Sequence, residues 1–282
     1  MNRSLQQSIK HRLKQVSKMK NQSPAELWQI LVLERILVRL INSKYKDNFV
    51  LKGGLLLSKY IDLGRETRDL DFVVKNLKNE TKLLFQVFEE ISKIDVEDGF
   101  IFKNVKVNPL SHFHMKYQGS RILMDAYFFT TRFKVQVDLG FGDKIDPIDK
   151  QIELIKDLKG PLFESHIEIS SYPKEFIFAE KLETIINRSY FNSRMKDYHD
   201  LYFILSKMDL DIDYLKKILH LVFKHRKTKL EYPILQDSIK IRTIQEYWKL
   251  YHKVQRSKDQ LPGRIDELID FINKWLKIYI FS

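Results

Sequence analysis

The chain has 282 residues, of which 49 are Lys or Arg and 37 are Asp or Glu, so its formal net charge is 49 − 37 = +12. An apolar share of 44 % supports a folded core and excludes overall disorder, and the lack of cysteine excludes disulfides, thiol nucleophiles and Cys-ligated metals. The apolar runs are too short for a membrane span, and the first residues lack the apolar core of a signal peptide, so a soluble cytoplasmic protein without membrane contact is predicted.

The positive charge is concentrated in two segments. Residues 1–22 contain six Lys or Arg side chains and no acidic one, and a second basic cluster lies at 216–229. Such an excess indicates an anionic partner, most often nucleic acid. Solvated helix faces that only keep the protein in solution are the alternative interpretation.

A helix is predicted to begin after Ser23. Ser23 suits the N-cap, Pro24 the first helical position and Glu26 the third, which together form a capping box. The run that follows is apolar on most faces and is predicted to be buried. Arg35 and Arg39 lie one turn apart on it, so we expect them to point together at acidic groups.

A strand, a glycine turn and a helix are predicted next. Phe49–Leu51 is a short apolar run that leads into Gly53 and Gly54. Residues 55–60 then have a helical pattern. Backbone N–H groups at such a turn form a cradle for phosphate, and the missing side chains allow a close backbone approach.

Several strands are predicted after this unit. Residues 67–74 alternate so that Asp69 and Asp71 share one face of a strand. A helix is predicted over 82–94. Further strands are predicted over 100–107, 113–117, 121–128 and 133–139.

From Lys174 onward the pattern is helical. Helices are predicted over 176–192, 196–208, 215–223, 241–253 and 265–280. Strands mixed with helices, followed by helices alone, predict an α+β domain and then a helical domain. We place the boundary at residue 172, which gives domains 1–172 and 173–282.

Three carboxylates form the sharpest candidate site. Asp69 and Asp71 converge on one side of a strand, and Asp138 on a neighbouring strand closes a set of oxygen ligands. Such a set suits Mg²⁺ bound together with substrate phosphates. Metals held this way activate an attacking oxygen and stabilise a leaving pyrophosphate. An ordinary polar sheet edge is the alternative.

A second cluster has two equally supported interpretations. Lys181 lies in the middle of a predicted helix, and Asp197 and Asp200 share a face of the next one. The lysine either reaches a triphosphate or forms a salt bridge between the two helices. His112 and His114 share a strand face, which favours a solvated face over a metal site, and His199 has no evident partner.

At this point the sequence resembles a known family. The stretches 49–54 and 65–72 look like the signature of the AbiEii/AbiGii-type nucleotidyltransferase toxins, which belong to the DNA polymerase beta-like nucleotidyltransferase superfamily. Residues 34–40 with Arg12 and Leu13 resemble the family's N-terminal helices, and 179–182 with 192–201 resemble its third block. The similarity covers about residues 8–205.

The resemblance implies roles for individual residues. Asp69, Asp71 and Asp138 are expected to hold Mg²⁺, and Asp138 to help deprotonate an acceptor hydroxyl. Lys181 and Asp197 are expected to be catalytic as well. The expected nucleotide-binding residues are Lys52, Gly53, Gly54, Arg65, Thr67, Arg68, Lys181 and Asp200. The superfamily commonly has Gly-Ser where this chain has Gly53 and Gly54, so backbone amides would have to replace a serine contact.

The resemblance also implies a polymerase beta-like domain with a mixed sheet and a function. Family members transfer a nucleotide from an NTP to an acceptor, and some extend tRNA 3′ ends as toxins of type IV toxin–antitoxin or abortive-infection systems. We therefore predict a Mg²⁺-dependent toxin that modifies RNA, with a cognate antitoxin as partner, and so inhibits translation and growth. Transfer to a protein hydroxyl and a catalytically silent nucleic-acid-binding protein remain alternatives.

Overall fold

A computed structural model describes residues 3–110, 119–142, 145–235 and 237–281. The strand predicted over 113–117, together with His112 and His114, lies outside these residues. Within them the helices are α1 (Arg3–Lys20), α2 (Pro24–Ile41), α3 (Gly53–Ser58), α4 (Thr81–Lys93), α5 (Lys174–Arg188), α6 (Met195–Lys207), α7 (Ile212–Arg226), α8 (Ser238–Lys253) and α9 (Ile265–Tyr279). The strands are β1 (Phe49–Lys52), β2 (Leu70–Val74), β3 (Phe100–Leu110), β4 (Gly119–Phe128), β5 (Thr131–Phe141), β6 (Ile148–Glu153), β7 (Lys156–Asp157), β8 (Gly160–Pro161) and β9 (His166–Ser171).

A mixed sheet organises the first part of the chain. Its strand order over the described residues is β3-β4-β5-β2-β1-β9-β6. The β2–β5 and β1–β9 pairs are parallel, and the other neighbours are antiparallel. Helix α2 contacts α1, α4, β5 and β9. The mixed sheet and the helical C-terminal part confirm the predicted fold class.

The chain divides into two compact units. The first runs to Lys59 and resumes from Glu66 to Tyr172, and the second consists of Tyr60–Arg65 and the chain from Pro173 onward. In the second unit α5 packs against α6 and α7, while α9 packs against α6 and α8. Its core includes the fully buried Trp248, whose indole N–H donates to the carbonyl of Pro262 at 3.0 Å.

The segment 60–65 departs from the predicted division at residue 172. The predicted boundary places it in the first domain, yet it groups with the second unit. Ser257 donates to the carbonyls of Leu63 and Gly64, and Arg256 pairs with Asp62. Gly64 has φ +62°, and a Cβ there would lie 2.3 Å from the Ser257 Cβ. These contacts join residues far apart in sequence, which local patterns do not reveal.

The predicted helix after Ser23 is confirmed. The Ser23 hydroxyl accepts a hydrogen bond from the Glu26 N–H at 3.1 Å, and α2 begins at Pro24. The strand predicted over 67–74 begins only at Leu70, so Asp69 directly precedes it. Strands β6 and β9 were missed, because their six-residue alternation is short and largely polar.

Two buried arginines of α2 share one buried carboxylate, as their spacing predicted. Arg39 donates to both oxygens of Asp98 at 2.7 and 2.9 Å, and Arg35 donates to it at 2.6 Å. Arg35 also pairs with Glu164. Burial alone would raise the pKa of Asp98, but the hydrogen bonds and charges of the two arginines outweigh it, so this pKa lies below its usual value.

We expect Asp98→Asn to lower the free energy of unfolding by about 3–5 kcal/mol, because it leaves the buried Arg39 without a counter-charge and removes one of the two carboxylate partners of Arg35. The urea midpoint measures this loss. Glu90→Gln is the matched control, since Glu90 pairs with Lys44 on the surface, where solvent and salt screen the pair and its loss should change the midpoint little. A similar loss for both variants would contradict the expectation.

Candidate functional site

Three carboxylates of the first unit lie together at one place on the sheet. Asp69 directly precedes β2, Asp71 is the second residue of β2, and Asp138 lies on β5. Strands β2 and β5 are parallel, and their register places Asp71 beside Asp138. One oxygen from each of the three side chains lies within 4.8 Å of the others. The structure thus brings together the carboxylates that the sequence singled out.

The glycine turn lies directly against this cluster. Lys52, the last residue of β1, pairs across the sheet with Asp71, and Gly53 follows it with φ +73°. A Cβ at Gly53 would lie 2.0 Å from an Asp71 carboxylate oxygen. Glycine is therefore required both by the backbone conformation and by the position of the carboxylate. Gly54 follows within the first turn of α3.

Arg121 on β4 completes the cluster, although it is not among the site residues predicted from the sequence. Its Nε and Nη2 donate to the two oxygens of Asp138 at 2.7 and 2.8 Å. The hydrogen bond to Asp138 raises the pKa of Arg121, and Asp69 and Asp71 add to the effect. The β4–β5 hairpin indicates this pair from the sequence. Phe128 pairs with Thr131 beside the turn, and the same register places Arg121 opposite Asp138.

The donor set fits a hard divalent cation. All three ligands are carboxylates, they converge, and their side chains are half-buried, so substrate oxygens and water have access. Mg²⁺ prefers such oxygen ligands and retains part of its water shell. Arg121 now neutralises part of the negative charge and competes with a cation for Asp138. The three carboxylates therefore fit the predicted Mg²⁺.

Three further residues of the first unit are predicted to bind the nucleotide, and each of them has different neighbours. The Lys52 ammonium lies 5.2 Å from the centre of the Tyr172 ring. Thr67 is buried, and its hydroxyl has no hydrogen-bond partner among the described residues. Arg68 is exposed and pairs with Glu66. The nucleotide-binding roles of Lys52, Thr67 and Arg68 stay predictions.

The second cluster lies in the second unit, between α5, α6 and the segment 60–65. Lys181 lies 2.5 Å from an Asp200 oxygen and 3.2 Å from an Asp197 oxygen. Arg65 forms two 2.6 Å hydrogen bonds to Asp200. Arg194, which is more exposed, donates to Asp197 at 2.9 Å. Three cations and two carboxylates leave a local charge of 3 − 2 = +1.

Burial and pairing act in opposite directions on this cluster. Burial alone would raise the pKa of Asp200 and lower that of Lys181. The nearby opposite charges outweigh burial in both cases, so the pKa of Asp200 is lowered and that of Lys181 is raised. Arg65 likewise has a raised pKa, because the charge of Asp200 outweighs its burial. All three groups are therefore charged at neutral pH.

Of the two interpretations of Lys181, the structure contains the salt bridge between helices. Lys181 on α5 bonds both carboxylates of α6. Asp200 also pairs with Arg65, which lies more than a hundred residues earlier, so no local sequence pattern predicts this partner. Contact of Lys181 with a triphosphate stays a prediction, as do the roles of Asp197 and Asp200.

His199 is part of the core beside these carboxylates. It is fully buried, its Nε2 lies 2.6 Å from the Leu63 carbonyl, and its Nδ1 lies 3.1 Å from the Tyr251 hydroxyl. This pairing fits a neutral ring in which Nε2–H donates and Nδ1 accepts. Burial lowers the pKa of His199 to about 4. The histidine that lacked an evident partner thus fastens the segment 60–65 to α6.

Comparison with known proteins identifies the family. The sequence model described as "Nucleotidyl transferase AbiEii toxin, Type IV TA system" matches residues 35–270. This match covers most of the chain, so the chain belongs to the AbiEii family and is a nucleotidyltransferase of the toxin type. Membership implies an NTP substrate and an antitoxin. No curated protein matches the sequence.

A solved structure shares the fold at low sequence identity. A protein of H. pylori described as a nucleotidyltransferase has a TM-score of 0.50 and 16 % identity over 88 % of this chain and 96 % of its own. MenT4, a nucleotidyltransferase toxin of Mycobacterium tuberculosis, has a TM-score of 0.48 and 17 % identity over 77 % of this chain and 71 % of its own. Within the described residues no helix is long and apolar enough to cross a membrane.

We expect Arg121→Gln to bind Mg²⁺ or Mn²⁺ more tightly than the parent, by about 5-fold or about 1 kcal/mol, because it removes a partly exposed cation that competes for Asp138. Calorimetric titration of each metal measures this change. Arg132→Gln is the matched control, since Arg132 makes the same kind of cross-strand pair with Asp125. Equal or weaker metal affinity in Arg121→Gln would contradict the competition.

The buried His199 should make the second unit sensitive to acid. Its pKa is about 4 in the folded chain and about 6.5 when unfolded, so the unfolded state binds more protons between these values. The free energy of unfolding should be highest above pH 6.5 and fall by up to about 3 kcal/mol as the pH drops towards 4.

His199→Gln provides the comparison, because glutamine keeps a donor and an acceptor without titrating. Urea unfolding is followed by tryptophan fluorescence in a Trp28→Phe background, which leaves Trp248 and Trp275 as reporters of the second unit. The parent should lose stability faster than His199→Gln between pH 7 and 4. Parallel pH profiles would show that the histidine is not the titrating group.

Proposed function

We propose that this protein transfers a nucleoside monophosphate from an NTP to RNA, with a tRNA 3′ end as the acceptor and Mg²⁺ as the cofactor. The observation that carries the proposal is the convergence of Asp69, Asp71 and Asp138 in a member of a nucleotidyltransferase family. The reaction takes place in the cytoplasm, where both substrates occur. Loss of functional tRNA inhibits translation and growth, and this makes the protein a toxin that its antitoxin must restrain.

The chemistry is an in-line displacement at the α-phosphate of the NTP. The acceptor 3′ oxygen forms a bond to the α-phosphorus, and the bond to the bridging oxygen breaks to release pyrophosphate. The hydroxyl proton passes to a carboxylate of the cluster, for which Asp138 is proposed. Asp69, Asp71 and Asp138 would hold Mg²⁺, which would neutralise charge on the phosphates and lower the pKa of the acceptor hydroxyl.

The chain's own groups position the substrates. Asp69 and Asp71 provide the fixed negative charge that a metal-bound triphosphate needs. The Gly53–Gly54 turn lies beside the Asp71 carboxylate, and its backbone N–H groups are proposed to bind a phosphate of the metal-bound NTP. Lys181 and Arg65 carry the cationic charge proposed to contact the nucleotide, and Asp197 and Asp200 hold these cations in place.

The net charge supports a polyanionic acceptor. A chain with a formal charge of +12 attracts RNA over a longer range than it attracts a neutral protein. An acidic catalytic cluster repels phosphate unless it is neutralised, so binding of RNA near it depends on cations elsewhere on the surface. Transfer to RNA should therefore weaken as salt is raised.

We expect the parent protein to label RNA when incubated with α-labelled NTPs, Mg²⁺ and total RNA. Asp71→Asn should lower label transfer at least about 100-fold, because it removes a metal ligand and a charge that acts in the transition state. Asp47→Asn is the matched control, since Asp47 is exposed and lies outside the cluster, and it should retain full transfer.

The same experiment separates the alternatives. Label that survives nuclease treatment in the protein fraction would favour transfer to a protein hydroxyl. RNA binding without label transfer from any NTP, and growth inhibition by Asp71→Asn equal to that of the parent, would favour a silent binding protein. Either result would refute the proposed reaction.

A further inference from the structure

The first helix has a cationic face that the fold itself does not use. Helix α1 is 18 residues long and contains no acidic residue. Its apolar stripe of Ile9, Leu13 and Val16 is buried in the first unit. The opposite side of the helix is exposed and carries lysines. A helix whose apolar stripe is already packed needs no further partner for its stability.

Arg12 fixes the orientation of this helix. Its guanidinium forms two 2.8 Å hydrogen bonds to the buried Asp157 and also donates to the carbonyls of Gly160 and Pro161. The hydrogen bond from Arg12 lowers the pKa of Asp157 to about 2. Arg12 therefore belongs to the packing of the unit and does not contribute to a free cationic surface.

Lys10, Lys14 and Lys18 form a regular row on the exposed side. They recur every four residues, which on a helix gives one line with steps of about 6 Å. All three are exposed, and none has an acidic partner among the described residues. Some other exposed lysines of this unit are paired, for example Lys44 with Glu90 and Lys93 with Glu89.

The second basic cluster is different. Arg226 on α7 pairs with Glu180 and Glu183 of α5, so its charge is used within the second unit. Asp213 lies one turn before Lys216 and Lys217 and reduces the positive charge of that face. Of the two basic segments, α1 is therefore the one whose exposed lysines form a row without acidic neighbours on the same helix.

We propose that the row formed by Lys10, Lys14 and Lys18 binds the phosphate backbone of the RNA acceptor. This inference rests on the proposed function, since it assigns a surface to the same substrate. A line of evenly spaced cations fits a strand whose charges are themselves evenly spaced, and flexible lysines bind it without reading sequence.

The placement of apolar residues favours RNA over a lipid surface. A helix that lies on a membrane inserts its apolar stripe beneath a basic face. In α1 that stripe is buried within the protein, and Met19 is the large apolar side chain that the described part of the helix exposes. The exposed side can therefore offer charge to a polyanion but little apolar area to a bilayer.

The test replaces the three lysines together by Gln in the full-length protein. The probe is labelled unmodified tRNA, whose Kd is measured at several salt concentrations. Removing three phosphate contacts should weaken binding about 10-fold near physiological salt and reduce the slope of log Kd against log salt by about 2. The triple change to Arg keeps the charges and should preserve both quantities.

A second triple variant controls for net charge and folding. Lys44, Lys78 and Lys93 are exposed lysines of the same unit, each beside a glutamate. Their replacement by Gln lowers the net charge equally and should change the slope by much less. Equal slopes for the two Gln triples, or binding of the parent but not the α1 triple to phosphatidylserine vesicles with tRNA binding unchanged, would overturn the inference.

The binding measurement is independent of turnover. If the parent transfers no label but the α1 triple loses salt-dependent tRNA binding, the surface stands and the proposed reaction fails. If the parent labels tRNA and the α1 triple binds it with an unchanged slope, the reaction stands and this surface is refuted. Unchanged urea midpoints show that both triples fold.

Discussion

The parallel pairing of β2 with β5 is the constraint on which the candidate site depends. Its register places Asp71 beside Asp138, and Asp69 lies directly before the first residue of β2. A shift of one residue would turn Asp138 to the opposite face, where Val137 and Leu139 now fill the core. Burial of those two apolar neighbours therefore fixes the position of the carboxylate.

The two charged clusters differ in their burial and in their balance of charge. The carboxylates of the sheet are half-buried and of one sign, with Arg121 as a partial counter-charge, which suits a place that exchanges partners with substrate. The cluster around Asp200 is buried, and its positive and negative charges nearly cancel, so its side chains form ion pairs with one another. Removing one member of a buried set leaves an unpaired charge, whereas the half-buried set is open to solvent.

Local patterns revealed much of the fold and half of the site. The Ser23 capping box, the paired arginines of α2 and the convergence of the three carboxylates all follow from spacings of a few residues, and the structure contains them. The partnership of Arg65 with Asp200 joins distant segments, and no periodicity encodes it. The pair of Arg121 with Asp138 is an intermediate case, because the hairpin register predicts it once the position of the turn is known.

The placement of the segment 60–65 limits how this chain can be divided. Residues of the first unit flank it on both sides, yet its arginine neutralises a carboxylate from α6. A fragment that starts at Pro173 would contain Asp200 without Arg65 and His199 without the Leu63 carbonyl. The helical part is thus not a module that recombination can exchange by a single cut, and the two units are expected to be inherited together.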